Sequence, residues 1–185
     1  AHGSKPHLGH NAIADMAGVV QYLERDYAAM PASRRHALLG EATINVGWIQ
    51  GGRQPNIVPS HCEILIDRRT LPGETRSGVQ REILDLLKSR GLNARLAPYK
   101  DAPCPAMETD ERLPCVQQLL KAARRKRTAG VDFFCDAAII SAGGVPSVLF
   151  GPGNIAQAHT DDEWISLAEL EKAAAILTRF LLSQP

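Results

Sequence analysis

Apolar side chains in the first part of the chain follow two spacings, that of an amphipathic helix and that of a half-buried strand. Residues 12–30 and 79–90 carry them three or four positions apart, which predicts two helices. Residues 42–49 and 61–69 alternate apolar and polar side chains and predict two strands, and 92–99 predicts a short third strand. The order helix, strand, strand, helix, strand predicts an α+β domain: an antiparallel sheet with two helices on one face, from which the first strand is missing.

The two longer predicted strands each have one apolar face. In the first strand, that face is predicted to carry Ile44, Val46 and Trp48. In the second, Ile64 and Ile66 face the predicted core, and Arg69 lies on the opposite face. If the helices cover the isoleucine side, the Arg69 guanidinium lies on the open face, where it suits a carboxylate ligand. A solvated strand arginine is the alternative explanation.

The second part of the chain has a different pattern. Helical segments alternate with two short apolar runs, "VDFF" and "PSVLFG", and the second run predicts a buried parallel strand. Ser166 and Glu169 form an S-x-x-E capping box at the start of the last predicted helix. The order helix, strand, helix, strand, helix is typical of an α/β architecture.

Between these two parts lies a segment rich in proline, residues 101–108, which predicts a linker. We therefore predict two domains. Residues 1–100 form the α+β domain, and residues 109–185 form the α/β part.

The composition excludes several classes of function. The 185 residues carry a net charge of +1, which gives no electrostatic case for a nucleic-acid or membrane partner. No apolar stretch approaches the length that a bilayer requires, and no signal-peptide pattern is present. The four cysteines lack C-x-x-C spacing and predict reduced thiols and a cytoplasmic location. The absence of G-x-S-x-G, G-x-G-x-x-G and P-loop motifs argues against a serine hydrolase, a nucleotide enzyme and a kinase.

A histidine follows the predicted strand "PSVLFG" through a glycine-proline turn. This residue, His159, lies in "GPGNIAQAHTDDEW" with three acidic residues directly after it. Sites in α/β sheets lie at the carboxyl ends of strands, and a neutral imidazole is a common ligand of zinc, cobalt or manganese. Glu163 is a candidate to orient the ring or a bound water. One histidine does not make a metal site, and a surface histidine in a loop is the alternative.

Two residues of the first domain are further candidates. His2 lies shortly before the start of a predicted helix, and a terminal or loop histidine is the alternative there. Asn56 lies in a loop rich in glycine and proline, where turn formation explains an asparagine equally well. Spacing alone does not decide between these explanations.

Four stretches taken together resemble one family of enzymes. They are "AHGSKPHLGHNAI", "GGRQPNIVPSHCEILIDRRTLPGE", "FFCDAAIISAGGVPSVLFGPG" and "GPGNIAQAHTDDEW". In this order and spacing they resemble the metal-dependent amidohydrolase and peptidase family of acetylornithine deacetylase, succinyl-diaminopimelate desuccinylase, aminoacylase and carboxypeptidase G2. The resemblance covers nearly the whole chain, and the last of the four stretches, "GPGNIAQAHTDDEW", is most similar to the acetylornithine deacetylase branch.

The resemblance implies a role for each candidate residue. His159 would be a metal ligand from the C-terminal part, and His2 would reach the partner subunit's active site and stabilise an oxyanion. Asn56 and Arg69 would bind the substrate, with Arg69 on its carboxylate. The first domain would be a lid and dimerisation domain, and the second would be the C-terminal half of a zinc-hydrolase catalytic domain.

Other residues that the family requires do not occur in this sequence. The H-x-D ligand segment, the bridging aspartate and the Glu-Glu pair with the general base should all precede His2. Cys135 also stands where the family often has threonine or serine before an acidic residue. We therefore expect the chain to be an incomplete portion of a longer enzyme, inactive by itself, whose full-length form binds two divalent ions, zinc or cobalt.

The resemblance implies hydrolysis of the amide bond of small N-acyl amino acids by a homodimer joined through the lid. A carboxypeptidase or dipeptidase is the alternative within the family. A non-catalytic dimerisation or ligand-binding module is the alternative from another class, and it predicts no bound metal and no need for His159.

Overall fold

The computed structural model describes residues 1–30, 35–97 and 104–184. The chain divides into two compact units. The first comprises residues 1–106 with 132–134, and the second comprises 107–131 with 135–185. The domain boundaries predicted above stay predictions, because part of the predicted linker lies outside the described residues.

The first unit contains both predicted helices and both longer strands. Its elements are α1 (Ala12–Gln21), which continues into a π-helical segment (Tyr22–Tyr27), β1 (Arg35–His36), β2 (Gly40–Glu41), β3 (Thr43–Gly51), β4 (Cys62–Arg69) and α2 (Arg76–Ser89). β1 pairs with β2, and β3 pairs with β4, both antiparallel.

Side-chain caps define where the two helices begin. The Asn11 side chain accepts hydrogen bonds from the N–H groups of Ile13 (3.0 Å) and Ala14 (3.1 Å) at the start of α1. Thr75 accepts one from the N–H of Gly78 (3.1 Å) at the start of α2. Such caps satisfy backbone donors that have no partner within the helix.

Both helices cover the same face of the β3–β4 pair. The buried cluster consists of Val19, Tyr22, Leu23, Tyr27, Val79, Ile83 and Leu87. Ile44, Val46, Ile64 and Ile66 pack against it from the sheet. Each buried aliphatic or aromatic side chain stabilises the fold by about 1.5–3 kcal/mol. The predicted sheet with two helices on one face is confirmed for this pair of strands.

One predicted member of the apolar face lies elsewhere. The register of β3 against β4 shifts between Val46 and Trp48, so that Val46 opposes Ile66 and Trp48 opposes Leu65. Gly47 is thus the extra residue of a bulge, which transfers the following side chain to the other face of the sheet. Trp48 is 40 % exposed as a result, and the prediction that it shares a face with Val46 was wrong.

The third strand, predicted over 92–99, does not form within residues 92–97, and residues 98–99 lie outside the described part of the chain. Strand formation requires a partner for the backbone N–H and C=O groups. Among the described residues, β4 pairs with β3 alone, and 92–97 lies in no sheet. An alternating pattern without a neighbouring strand leaves this segment extended and irregular.

The second unit is built around two packed helices. Its elements are α3 (Pro114–Ala123), α4 (Ala137–Ala142), a 3-10 turn (Ile155–Gln157) and α5 (Leu167–Leu182). The Nε and Nη2 atoms of Arg179 on α5 donate to the Ala122 carbonyl at 3.1 and 2.8 Å, which satisfies a carbonyl at the end of α3. No helix in the described part of the chain is both long and apolar enough to cross a membrane.

The two apolar runs "VDFF" and "PSVLFG", in the second part of the sequence, are not strands. Residues 131–134 and 146–150 have no ladder partners, and Val148 and Leu149 are 42 % and 43 % exposed. The prediction of a buried parallel strand in "PSVLFG" was therefore wrong. A parallel strand is buried only where neighbouring strands and helices cover it, and the described sheets contain β1 to β4 alone.

The predicted cap at the start of α5 is confirmed and leads to a stability prediction. The Ser166 Oγ accepts the N–H of Glu169 at 3.2 Å. Ser166→Ala should lower the free energy of unfolding by about 1 kcal/mol, measured by urea denaturation. Ser166→Asp should leave the free energy of unfolding nearly unchanged, because aspartate also caps helices. Ser183→Ala, at the opposite end of α5, is the control and should change stability by less than about 0.5 kcal/mol. Equal effects of the two alanine substitutions would contradict the cap assignment.

Candidate active-site residues

The N-terminal segment lies against the loop between β3 and β4. The Gly3 N–H donates to the Asn56 carbonyl at 2.7 Å, the Val58 N–H donates to the Ala1 carbonyl at 2.9 Å, and His2 opposes Ile57 in an isolated antiparallel bridge. A Cβ atom at Gly3 would lie 3.0 Å from the Asn56 carbonyl carbon, so glycine permits this approach. The structure therefore brings the predicted residues His2 and Asn56 together.

The ring of His2 is oriented by Ser4. The Ser4 N–H donates to His2 Nδ1 at 3.2 Å, and the Ser4 Oγ lies 2.7 Å from the same nitrogen. A backbone N–H can only donate, so Nδ1 acts as the acceptor and the neutral ring carries its proton on Nε2. The neutral His2 ring thus offers Nε2–H as a donor, while Nδ1 accepts from Ser4.

Arg69 lies at the last position of β4, opposite Thr43. Its side chain is 53 % exposed, and Nη2 donates to Asp67 Oδ2 at 2.9 Å on the same face of the strand. Ile64 and Ile66 pack into the core on the other face, as the alternation predicts. The guanidinium is therefore accessible to a ligand, with one exposed carboxylate as its present partner.

Within a single copy of the first unit, Arg69 lies far from His2 and Asn56. Cys62, at the loop end, and Arg69 are seven residue steps apart along β4, which corresponds to about 23 Å. The helix confirms this separation: the Ala12 N–H donates to the Pro59 carbonyl at the loop end, and Tyr27 contacts Arg68 at the other end. Fifteen helical residues span about 22 Å. The predicted substrate-binding residues thus occupy opposite ends of the sheet.

His159 lies in an exposed loop of the second unit with a left-handed backbone (φ +63°). Its N–H donates to Glu163 Oε2 at 2.9 Å, and the Thr160 hydroxyl donates to the Gln157 carbonyl at 2.8 Å. Left-handed residues other than glycine are uncommon and cluster at functional sites, although histidine adopts this conformation more readily than most. The carboxylate of Glu163 contacts the backbone of His159, where it fixes the loop, and its predicted role toward the ring or a water stays a prediction.

The described residues do not form a metal site by themselves. Within residues 1–30, 35–97 and 104–184, no group of three or more His, Cys, Asp or Glu side chains could hold a metal ion. A catalytic zinc requires about three protein ligands, and a bridged pair requires more. His159 alone therefore does not fit a metal centre in this chain.

Two contributors were missed from the sequence. Ser4 acts on His2 through a tight local turn, and its position two residues after His2 is the only signal in the sequence. Arg68 lies on the core side of β4, where the sequence pattern does not lead one to expect a charged residue. Its alternation with Arg69 places it there, beside Tyr27.

The first unit matches a known family. The model of a family described as the peptidase dimerisation domain of the M20 group matches residues 1–95. The chain belongs to this family. The resemblance drawn from the four sequence motifs is confirmed, and so is the fold class of an α+β dimerisation domain for the first unit.

Curated relatives align along most of this chain. An acetylornithine deacetylase of Myxococcus xanthus is 28% identical, with 96% of this chain and 48% of that protein aligned. An N-acetyl-L-citrulline deacetylase of Xanthomonas campestris is 29% identical, with 80% of this chain and 42% of that protein aligned. The chain thus spans about half the length of the curated relatives that it matches.

Solved structures share the fold of this chain. An M20 family metallo-carboxypeptidase of Sulfolobus solfataricus superposes with a TM-score of 0.65 at 18% identity, covering 97% of this chain and 54% of the other. A tripeptidase of Staphylococcus aureus gives a TM-score of 0.66 at 20% identity, covering 97% and 47%. At these identities the likeness concerns the fold.

Proposed function

We propose that the whole protein is a metal-dependent hydrolase of the amide bond of N-acyl amino acids. Such a substrate carries a carboxylate and an acyl carbonyl. The observation that carries the proposal is a pair of matching groups in the first unit: the accessible Arg69 guanidinium and the Nε2–H of His2. The deacetylase names of the relatives support the same chemistry.

The distance between these groups favours a site shared by two subunits. An N-acyl amino acid is about two residues long and spans at most about 7 Å, whereas Arg69 and the His2–Asn56 pair are separated by most of the β4 strand. A single copy of the first unit therefore cannot bring both Arg69 and His2 to the same substrate molecule. We propose a homodimer through the dimerisation domain, in which His2 and Asn56 serve the site that contains the partner subunit's Arg69.

The role proposed for His2 follows from the reaction. Addition of water to the acyl carbonyl places negative charge on the carbonyl oxygen, and the C–N bond then breaks to give a carboxylate and a free amino acid. An N–H donor aimed at that oxygen stabilises the transition state more than the substrate. The neutral His2 ring, with its proton on Nε2, is such a donor.

The metal centre of the whole protein remains a proposal. His159 would contribute one ligand, and zinc or cobalt are the ions we propose, in a pair that requires ligands beyond the described residues. The bond from the His159 N–H to Glu163 would hold the ligand loop in place. The cytoplasmic location inferred from the cysteine spacing is likewise a proposal.

A substrate panel tests the proposed function. The metal-loaded whole protein is assayed with N-acetyl amino acids, N-succinyl amino acids and dipeptides. We expect the highest kcat/KM for an N-acyl amino acid. A preference for dipeptides would favour the peptidase alternative, which the names of the solved neighbours suggest. An absence of turnover in all three series would favour the non-catalytic module.

Arg69→Ala is expected to raise KM for substrates with a free carboxylate and to leave kcat nearly unchanged. The lost charge-assisted hydrogen bonds are worth about 1.5–3 kcal/mol, which corresponds to an increase of about 10-fold to 150-fold in KM. Steady-state kinetics with an N-acyl amino acid and with its carboxamide measure the effect. Equal loss on both compounds would show that Arg69 does not bind the carboxylate.

A further inference from the structure

A partly buried cluster of polar side chains lies behind Arg69, on the core side of β4. The Arg68 side chain is 9% exposed and Glu74 is 19% exposed, and Arg68 Nη2 lies 2.8 Å from Glu74 Oε1. Arg68 Nε donates to the Tyr27 hydroxyl at 3.2 Å, and the guanidinium carbon lies 5.8 Å from the centroid of the Tyr27 ring. Burial lowers the pKa of Arg68, but the hydrogen bonds to Tyr27 and Glu74 outweigh it and the pKa is raised overall. Arg68 is thus a charged, partly buried group with one hydrogen bond from each of its three nitrogen atoms.

This cluster holds the backbone that follows Arg69. Arg68 Nη1 donates to the carbonyl oxygen of Arg69 itself. Glu74 Oε2 accepts the N–H of Leu71 at 2.8 Å, and the Glu74 N–H donates to the Leu71 carbonyl at 3.0 Å. On the other side, Arg69 is paired with Thr43 in the strand ladder. The backbone of Arg69 is therefore held by its place in the strand ladder and by the contact of Arg68 with its carbonyl oxygen.

We propose that Arg68, held by Tyr27 and Glu74, is a positioning residue for Arg69. The proposal rests on the function proposed above, in which Arg69 binds the substrate carboxylate. The direction of a strand side chain is set by its backbone dihedral angles, and the cluster fixes those of Arg69 at the end of the strand, where β4 would otherwise fray. Lysine cannot replace arginine here, because a single ammonium group lacks the planar fork that reaches Tyr27, Glu74 and the Arg69 carbonyl together.

The test is Arg68→Lys in the metal-loaded whole protein. We expect KM for an N-acyl amino acid to rise about tenfold with kcat changed less than about twofold, because a small displacement of a binding group weakens its contact. KM for the corresponding carboxamide should stay unchanged. In the Arg69→Ala background, Arg68→Lys should cause no further rise in KM. Glu74→Gln should act in the same direction and provides a second variant if Arg68→Lys fails to fold.

Arg90→Lys is the matched control. Arg90 lies 5.3 Å from the centroid of the Tyr22 ring in the same unit, so this variant loses a similar arginine–tyrosine contact away from Arg69. It should leave KM unchanged. If Arg68→Lys lowers Tm as Arg90→Lys does and leaves KM unchanged, the cluster is structural and the inference is overturned. A further rise in KM in the Arg69→Ala background would overturn it as well.

The failure of this inference is distinguishable from the failure of the proposed function. If Arg69→Ala leaves KM for the carboxylate substrate unchanged, the role of Arg69 is wrong, and the positioning role falls with it. If Arg69→Ala raises KM and neither Arg68→Lys nor Glu74→Gln does so, only the positioning role is overturned.

Discussion

Replacing His159 with alanine in the whole protein is expected to lower kcat/KM by more than about 100-fold and to remove one equivalent of bound metal. Loss of residues that merely support a ligand already costs about 10-fold to 100-fold in metal affinity or activity, so loss of a ligand should cost more. The exposed loop position of His159 carries little packing, so Tm should change by only a few degrees. Elemental analysis after dialysis, steady-state kinetics and thermal unfolding measure the three quantities.

His61→Ala is a suitable control for His159→Ala. The His61 side chain is 71% exposed and its Nε2 lies 3.7 Å from Glu63, so it is a surface histidine near an acid. This variant should keep its metal and its activity. If His159→Ala behaves in the same way, His159 is a surface histidine too, and its assignment as a ligand is wrong.

His2→Ala is expected to lower kcat by about 10²–10³-fold with little change in KM, because an oxyanion donor acts mainly in the transition state. The bond from the Ser4 N–H to Nδ1 fixes the donor at Nε2. Steady-state kinetics measure the loss, and ¹⁵N NMR of the ring nitrogens should show the Nε2–H tautomer in the unmodified protein. A large rise in KM without a change in kcat would contradict the role in the transition state.

Mixed dimers test whether His2 serves the partner subunit. A His2→Ala subunit paired with a His159→Ala subunit regains one intact site if His2 acts across the interface, and none if it acts within its own subunit. After statistical exchange, half of the dimers are mixed, and each has one intact site of two, so about a quarter of the original activity should return. No recovery after confirmed subunit exchange would exclude the shared site.

The helices and the central strand pair could be predicted from the sequence because their determinants are local. The period of apolar positions defines α1, α2, β3 and β4, and Asn11 and Ser166 each bond to an N–H two or three residues away. The family motifs likewise selected His2, Asn56, Arg69 and His159 as candidate site residues, and their roles stay predictions. Periodicity and capping act within a few residues, so they need no knowledge of the rest of the chain.

Strand partners and the arrangement of the site were decided by the tertiary structure. The bulge at Gly47 exists only in the pairing of β3 with β4, so no pattern in β3 alone could show that Trp48 changes face. Residues 92–97 and 146–150 have strand-like patterns but no strand beside them, and backbone hydrogen bonds of a sheet are always made to another segment. The same holds for the site: contacts between distant segments bring His2 to Asn56, separate both from Arg69, and place Arg68 on Tyr27.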